Sequence, residues 1–192
     1  MKLVVGLGNP GSRYAETRHN VGFMTAAKLV PMLAAAGAKK RFDAEVVEGQ
    51  VEGEKLVVMC PLTYMNASGQ SVRKAVDFFK VAPADVLVVC DDMNLPLAQL
   101  RLRGKGSSGG QKGLADILRH LGTEQVPRLR IGIDPPPPGW AVPDYVLSKF
   151  PRGEQGEIDK ATELAAMAAV DWALHGLEHS MSRYNVKNPT SK

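Results

Sequence analysis

The chain opens on a short apolar run, Lys2 to Leu7, that breaks into Gly6-Leu7-Gly8-Asn9-Pro10-Gly11, followed by Tyr14 and Thr17-Arg18-His19-Asn20. An apolar run of this length without alternation reads as a strand buried on both faces, opening into a glycine turn. Strand ends are where α/β folds collect their functional groups. The fingerprint has two incompatible readings. Gly6, Gly8 and Gly11 have the G-x-G-x-x-G spacing of a dinucleotide loop, whereas the Asn-Pro turn and the His-Asn pair behind it suggest a hydrolytic site.

The dinucleotide reading fails on three counts. A phosphate cradle needs free N–H groups at a helix start, and Pro10 removes one. Ser12-Arg13-Tyr14 does not begin an apolar helix. The ribose-binding acid expected roughly 20 residues on is missing: after Glu16 the next acid is Asp43. No dinucleotide partner is expected, and the glycines read as letting the strand turn sharply so that Asn9 and His19 face one cleft.

Strand and helix patterns alternate along the rest of the chain. A helix capped by Thr17 or His19 is expected to run to about Ala36, with Phe23, Met24, Ala27 and Val30 inward. Residues 44–51 and 55–60, joined by Glu52-Gly53-Glu54, read as a hairpin. Asn66 or Ser68 should cap a helix that buries Val72, Ala75, Val76 and Phe79. A buried strand from Val86 to Cys90 ends in Asp91-Asp92, and another spans about 97–103. Five of the ten residues from Gly104 to Gly113 are glycine, which reads as a mobile or backbone-exposing loop. A short helix burying Leu114, Ile117, Leu118 and Leu121, a strand at 129–133 and the stiff Pro135–Pro138 connector follow. Beyond Pro151 a long helix carries Ile158, Ala161, Leu164, Ala168 and Trp172 on one stripe. The pattern predicts one α/β sandwich domain over residues 1–187 on a mixed sheet, because the hairpin adds antiparallel pairing. Residues 188–192 read as a frayed tail.

At 192 residues, 44% hydrophobic and 23% charged, the chain can bury a core without staples. Its two cysteines, Cys60 and Cys90, lie in strand-like runs and read as reduced buried thiols. With no apolar stretch of membrane length and no signal-peptide pattern, a cytoplasmic protein without membrane association is expected. The net charge of +4 suits an anionic partner without requiring one.

Four histidines are present. His120 reads as exposed. His175 and His179 have helical metal-ligand spacing, but no acid is seen to complete a set, so no metal is expected. His19 stands out by its company. Asp91, at a buried strand end, suits the role of accepting an imidazole N–H and fixing its tautomer. With no G-x-S-x-G elbow and no exposed cysteine, a His–Asp pair suggests general-base activation of water. Asn9 and Asn66 offer amides, and Tyr14 and Tyr64 offer surfaces for a sugar or base. Arg101, Arg103 and Lys105 alternate along one strand, and Arg128 and Arg130 along the next. They read either as a solvated sheet edge or as a phosphate track through Arg103, Lys105 and Arg130.

Taken together the motifs resemble those of bacterial-type peptidyl-tRNA hydrolases. The resemblance rests on Gly6–Gly11, Tyr14, Thr17–Gly22, Tyr64-Met65-Asn66-x-Ser68-Gly69, Asp91–Pro96, Gly109-Gly110-x-x-Gly113-Leu114 and Arg128–Ile133, in the family's order over almost the whole chain. It implies a monomeric enzyme with a three-layer α/β/α fold that hydrolyses the ester between peptide and tRNA, needs no cofactor and binds tRNA. It implies that His19 is the general base, that Asp91 holds and polarises it, and that Asn9 discriminates N-blocked substrate. Asn66, Tyr64 and Tyr14 would contact the peptide or the tRNA end. One departure stands out: Gln111-Lys112 replaces the family's common His-Asn. Lysine donates to an oxyanion or phosphate but cannot accept from water, so Lys112 is either a changed site residue or a tRNA contact. An RNA-binding protein on the same fold without turnover is the alternative, and the retained His19, Asp91, Asn9 and Asn66 favour the enzyme.

Overall fold

The computed structural model describes residues 1–185, so the tail expected at 188–192 lies outside the described residues. The strands are β1 (Lys2–Gly6), β2 (Ala34–Ala35), β3 (Lys39–Arg41), β4 (Ala44–Val51), β5 (Glu54–Pro61), β6 (Val86–Asp92), β7 (Leu100–Arg103) and β8 (Arg128–Gly132). They form one mixed sheet in the order β2-β4-β5-β1-β6-β8-β7, with β3 beside β4. β5, β1, β6 and β8 run parallel at the centre, and antiparallel pairs flank them.

Helices α1 (Val21–Leu29), α4 (Val142–Val146), α5 (Arg152–His175) and α6 (Leu177–Tyr184) follow the chain on one side, and α2 (Ser68–Phe79) and α3 (Lys112–Leu121) on the other. Because strand side chains alternate between faces, the central strands feed two cores. Val4, Val58, Leu87 and Val89 pack with α1 and α5, while Leu3, Val5, Met59 and Val88 pack with α2 and α3. The expected α/β/α sandwich is present.

The hairpin is as expected, its two-residue turn held by positive φ at Glu52 and Gly53, as a primed turn requires. Elsewhere the structure corrects the pattern reading. Helix α1 ends at Leu29, tightens to a 3-10 turn through Pro31 and gives way to edge strand β2. Its buried face is Val21, Gly22, Thr25, Ala26 and Leu29, not the stripe through Phe23 and Ala27. The cause is a backbone contact: a Cβ on Gly22 would stand 2.3 Å from Leu7 N and 2.5 Å from Val89 O. Gly6 and Gly8 serve the same approach, facing Gly22 and the Phe23 ring. Of the three fingerprint glycines only Gly11 has positive φ, so two of them are packing glycines rather than turn residues. α5 likewise docks through alanines, which leaves Leu164 exposed. No side chain caps α2: Ala67 is at the cap, and Ser68 Oγ donates instead to the Met65 carbonyl.

His120 is half-buried rather than exposed, with Nδ1 2.9 Å from the Asp116 carbonyl. Asn185 covers the open edge of β7, accepting from Leu102 N–H at 2.6 Å and donating to its carbonyl at 3.0 Å, which blunts an otherwise sticky edge. Among the described residues no helix is long and apolar enough to cross a membrane.

Both thiols are free; Cys90 is buried as expected, whereas Cys60 is half-buried. Burial, with the Glu45 carboxylate across the strand pair, pushes Cys60 up to about 12. Burial also raises Cys90, whose neighbour Asp91 adds to the effect. The thiolate is the reactive form, so neither cysteine should react with a disulfide reagent such as DTNB at pH 8 in the native protein, and both should react in denaturant. Rapid native labelling of either would contradict their placement.

Candidate active site

The carboxyl ends of β1 and β6 adjoin, and the Leu7 N–H donates to the Val89 carbonyl at 2.9 Å. That adjacency brings together residues 72 positions apart: His19 Nδ1 lies 2.9 Å from Asp91 Oδ2. His19 sits in a 3-10 turn, Arg18–Asn20, just before α1. A buried carboxylate accepts, so Nδ1 carries the proton and the lone pair is on Nε2. Asp91 is 5% exposed and the His19 side chain 12%, so the pair is shielded while the ring still reaches the cleft.

The cleft has a volume of about 400 Å³. Asn9, His19, Asp91, Asn66 and Lys112 are in its lining with Tyr14 and Tyr64, and Val142, Pro143, Val146 and Leu147 form an apolar wall. Seven of the residues singled out from sequence therefore meet in one place, with Arg130 as an eighth.

Asn9 is fixed at three points. Its Oδ1 accepts from Met65 N–H at 2.9 Å, its own N–H donates to Asn20 Oδ1 at 2.9 Å, and its carbonyl accepts from Asn20 Nδ2 at 3.0 Å. With Oδ1 taken, the donor Nδ2 is what the side chain has left for a ligand. Asn66 and Tyr64 are exposed in the turn ahead of α2, and Lys112 is exposed at the first position of α3. A cation there opposes the helix dipole, so folding alone gives Lys112 no reason to be basic.

The basic residues divide. Arg128 is 1% exposed and donates to the carbonyls of Val126, Gly106, Ser107 and Glu124. Arg130 pairs with Asp92 at 3.1 Å and donates to the Ser107 carbonyl at 3.0 Å. These two arginines fasten the glycine loop over the sheet edge, so the loop is anchored rather than loose at Gly106 and Ser107. Arg103 and Lys105 are exposed, outside the cleft and without an acidic partner among the described residues.

Three further residues have contacts that the sequence did not reveal. Asn20, 1% exposed, holds Asn9. Its place in the His19-Asn20 pair marks it in the sequence, but not the bond to Asn9. Arg18 lies against the Tyr145 and Phe150 rings, donates to Ser148 Oγ and the Lys149 carbonyl, and pairs with Glu154 at 3.0 Å. It ties the His19 turn to the segment that carries the apolar wall. Asp171 supplies the acid missing beside His175 and His179. Its carboxylate already faces Ser180, His179 and Arg183. Burial alone would raise it, yet those partners hold it below the usual carboxylate range. Arg183 on the same carboxylate opposes a cation, and the cluster ties α6 to α5.

A family model described as peptidyl-tRNA hydrolase matches residues 3–192. The chain belongs to the peptidyl-tRNA hydrolase family. It is 53% identical over 190 residues to the peptidyl-tRNA hydrolase of Rhodopirellula baltica, covering 99% of this chain and 100% of that one. It is 44% identical to that of Brevibacillus brevis, over 96% and 98% of the two chains. The crystal structure of peptidyl-tRNA hydrolase from Acinetobacter baumannii superimposes with a TM-score of 0.91 at 35% identity, covering 98% of this chain and 96% of that one. As a member of this hydrolase family the chain is an enzyme, and the His19–Asp91 cleft is the candidate for its chemistry.

Proposed function

We propose that the chain hydrolyses the ester joining a peptide to the 3′ ribose of tRNA, by water activated at His19. The observation that carries this is the 2.9 Å His19–Asp91 contact at a cleft lined by amide groups. Asp91 keeps Nδ1 protonated and leaves Nε2 to take a proton from water as it attacks the ester carbonyl. The carbonyl oxygen then bears charge, and Asn9 Nδ2, the Asn66 amide and the Lys112 ammonium are the available donors for it. Collapse of the tetrahedral species expels the ribose 3′-oxygen, which takes back the proton from the His19 imidazolium and leaves as the hydroxyl. An ester is a more activated acyl group than an amide, and with His19 returning the proton to the leaving oxygen this set of groups suffices for the reaction.

Substrate selection follows from the same donors. A free aminoacyl ester carries an ammonium, which Lys112 repels and for which Asn9 has no acceptor left, its Oδ1 being taken by Met65 N–H. An N-blocked ester offers a carbonyl instead. Asn9 is assigned this discrimination, with Tyr14, Tyr64 and the apolar wall receiving the peptide. Lys112 contacts the substrate, and Arg103, Lys105 and the face around Arg130 receive tRNA phosphates. The protein acts as a monomer in the cytoplasm.

Purified protein should hydrolyse N-acetyl-aminoacyl-tRNA and spare aminoacyl-tRNA. RNA binding without ester cleavage would sink the reading in favour of a binding protein. Asn9→Asp replaces a donor with an acceptor at constant shape and should cut the blocked-to-free rate ratio about tenfold. An unchanged ratio would remove Asn9 from the selection.

A further inference from the structure

His19 uses one oxygen of Asp91. The other, Oδ1, accepts from Gln111 Nε2 at 3.1 Å. Gln111 is 9% exposed and stands at the N-cap of α3, where its Oε1 accepts from Leu114 N–H at 2.7 Å. That second bond decides which way the amide faces: with its oxygen turned to the helix, its NH₂ end meets Asp91. The same nitrogen is 3.2 Å from Met65 Sδ, and an amide has two N–H groups to give. Every polar atom of the Gln111 side chain is therefore engaged within the protein.

We infer that Gln111 is a positioning residue for the hydrolysis, acting through Asp91 on His19; this rests on reading His19 as the base. A carboxylate held at one oxygen can swing about its terminal torsion, which is soft. Held at both, it keeps Oδ2 aimed at Nδ1. The amide adds no positive charge, so it orients Asp91 without opposing the imidazolium that forms as water is deprotonated. It also keeps its proton at every working pH, unlike an imidazole at this position. The N-terminus of α3, which Gln111 caps, adds the favourable end of a helix dipole beside the carboxylate. The charged groups around the pair are Lys112 on α3, Asp92 on β6 and Arg130 on β8, with Tyr14 and Tyr64 in the same lining.

Gln111→Glu isolates the donor, because a carboxylate still caps Leu114 N–H and suits a helix N-terminus but presents an oxygen to Asp91. For hydrolysis of N-acetyl-aminoacyl-tRNA, kcat should fall about tenfold or more with KM nearly unchanged. The acid limb of the kcat/KM profile should move to higher pH than in the wild type, since an added negative charge favours the imidazolium. The His19 ring resonances in substrate-free protein should titrate with the same displacement. Gln111→His keeps a donor for Asp91 and should stay within a few-fold of wild-type kcat. Gln111→Met loses the donor without adding charge. It carries the same kcat and KM test should the glutamate variant not fold, and a wild-type kcat there would overturn the inference. So would a Gln111→Glu protein with a lowered melting temperature but wild-type pH profile and His19 titration, which would make Gln111 only a cap. Because the titration needs no substrate, a displaced His19 titration in a protein that cleaves no ester would uphold the Gln111 contact while the proposed function fails.

Discussion

An enzyme carrying His19→Ala is expected to hydrolyse N-acetyl-aminoacyl-tRNA roughly 10²–10⁴ times more slowly than wild type, with KM little changed. The magnitude is that of a lost general base, because no second histidine lines the described cleft: those at 120, 175 and 179 are absent from it. The fold should survive. His19 faces the cleft, and its removal leaves Asp91 one remaining side-chain donor, Gln111. Losing one hydrogen bond to a charged group costs about 1.5–3 kcal/mol, a drop of several degrees in Tm for a chain of this length. Initial rates together with a thermal melt check both halves. A rate within a few-fold of wild type would place the base elsewhere.

The second large effect is on stability. Gly22→Ala adds one methyl group, and the three atoms nearest to it are all backbone: Leu7 N at 2.3 Å, Leu7 O at 2.5 Å and Val89 O at 2.5 Å. It wedges into the N–H···O=C bond between Leu7 and Val89, where no rotamer change relieves it. Overpacking ordinarily costs about 1–3 kcal/mol. With no flexible neighbour to yield, the loss here should be at least about 3 kcal/mol by urea denaturation. The same bond holds the ends of β1 and β6 together, so whatever protein folds should also lose activity. A variant as stable as wild type would mean that α1 does not approach β1 as described. Gly11→Ala, with open space around the added Cβ but a φ of +103°, would then strain only the backbone.

Much of the fold was legible because its signals are local. The Glu52-Gly53 hairpin, the apolar face of α2 and the buried run into Asp91 each announce themselves within ten residues. What pattern reading missed was decided by backbone contact. Apolar periodicity put Phe23 and Ala27 on the inner face of α1, but the helix turns its small residues, Gly22 and Ala26, to the sheet because only they let the backbones meet. α5 repeats the lesson with its alanines, at the expense of Leu164. In the site, His19 and Asp91 were identifiable as chemistry-bearing types at strand ends. Their pairing depends on β1 lying beside β6, which no local signal carries. Arg128 alternates with Arg130 like a residue of an open basic face, because alternation cannot tell an arginine that faces solvent from one roofed by a loop. Gln111 was visible only as a departure from the family's usual residue. Its role emerges when Leu114 N–H and Asp91 are seen on opposite ends of one amide.

In the proposed mechanism His19 and Asp91 work as one unit, the acid serving only to orient and polarise the base. Groups that act as a unit are far from additive when removed together. The most direct measurement is therefore the rate of N-acetyl-aminoacyl-tRNA hydrolysis by His19→Ala/Asp91→Asn beside that of His19→Ala alone. With the base already gone, the double variant should be no slower than the single one. A further loss of about tenfold or more would give Asp91 a role of its own and contradict the account.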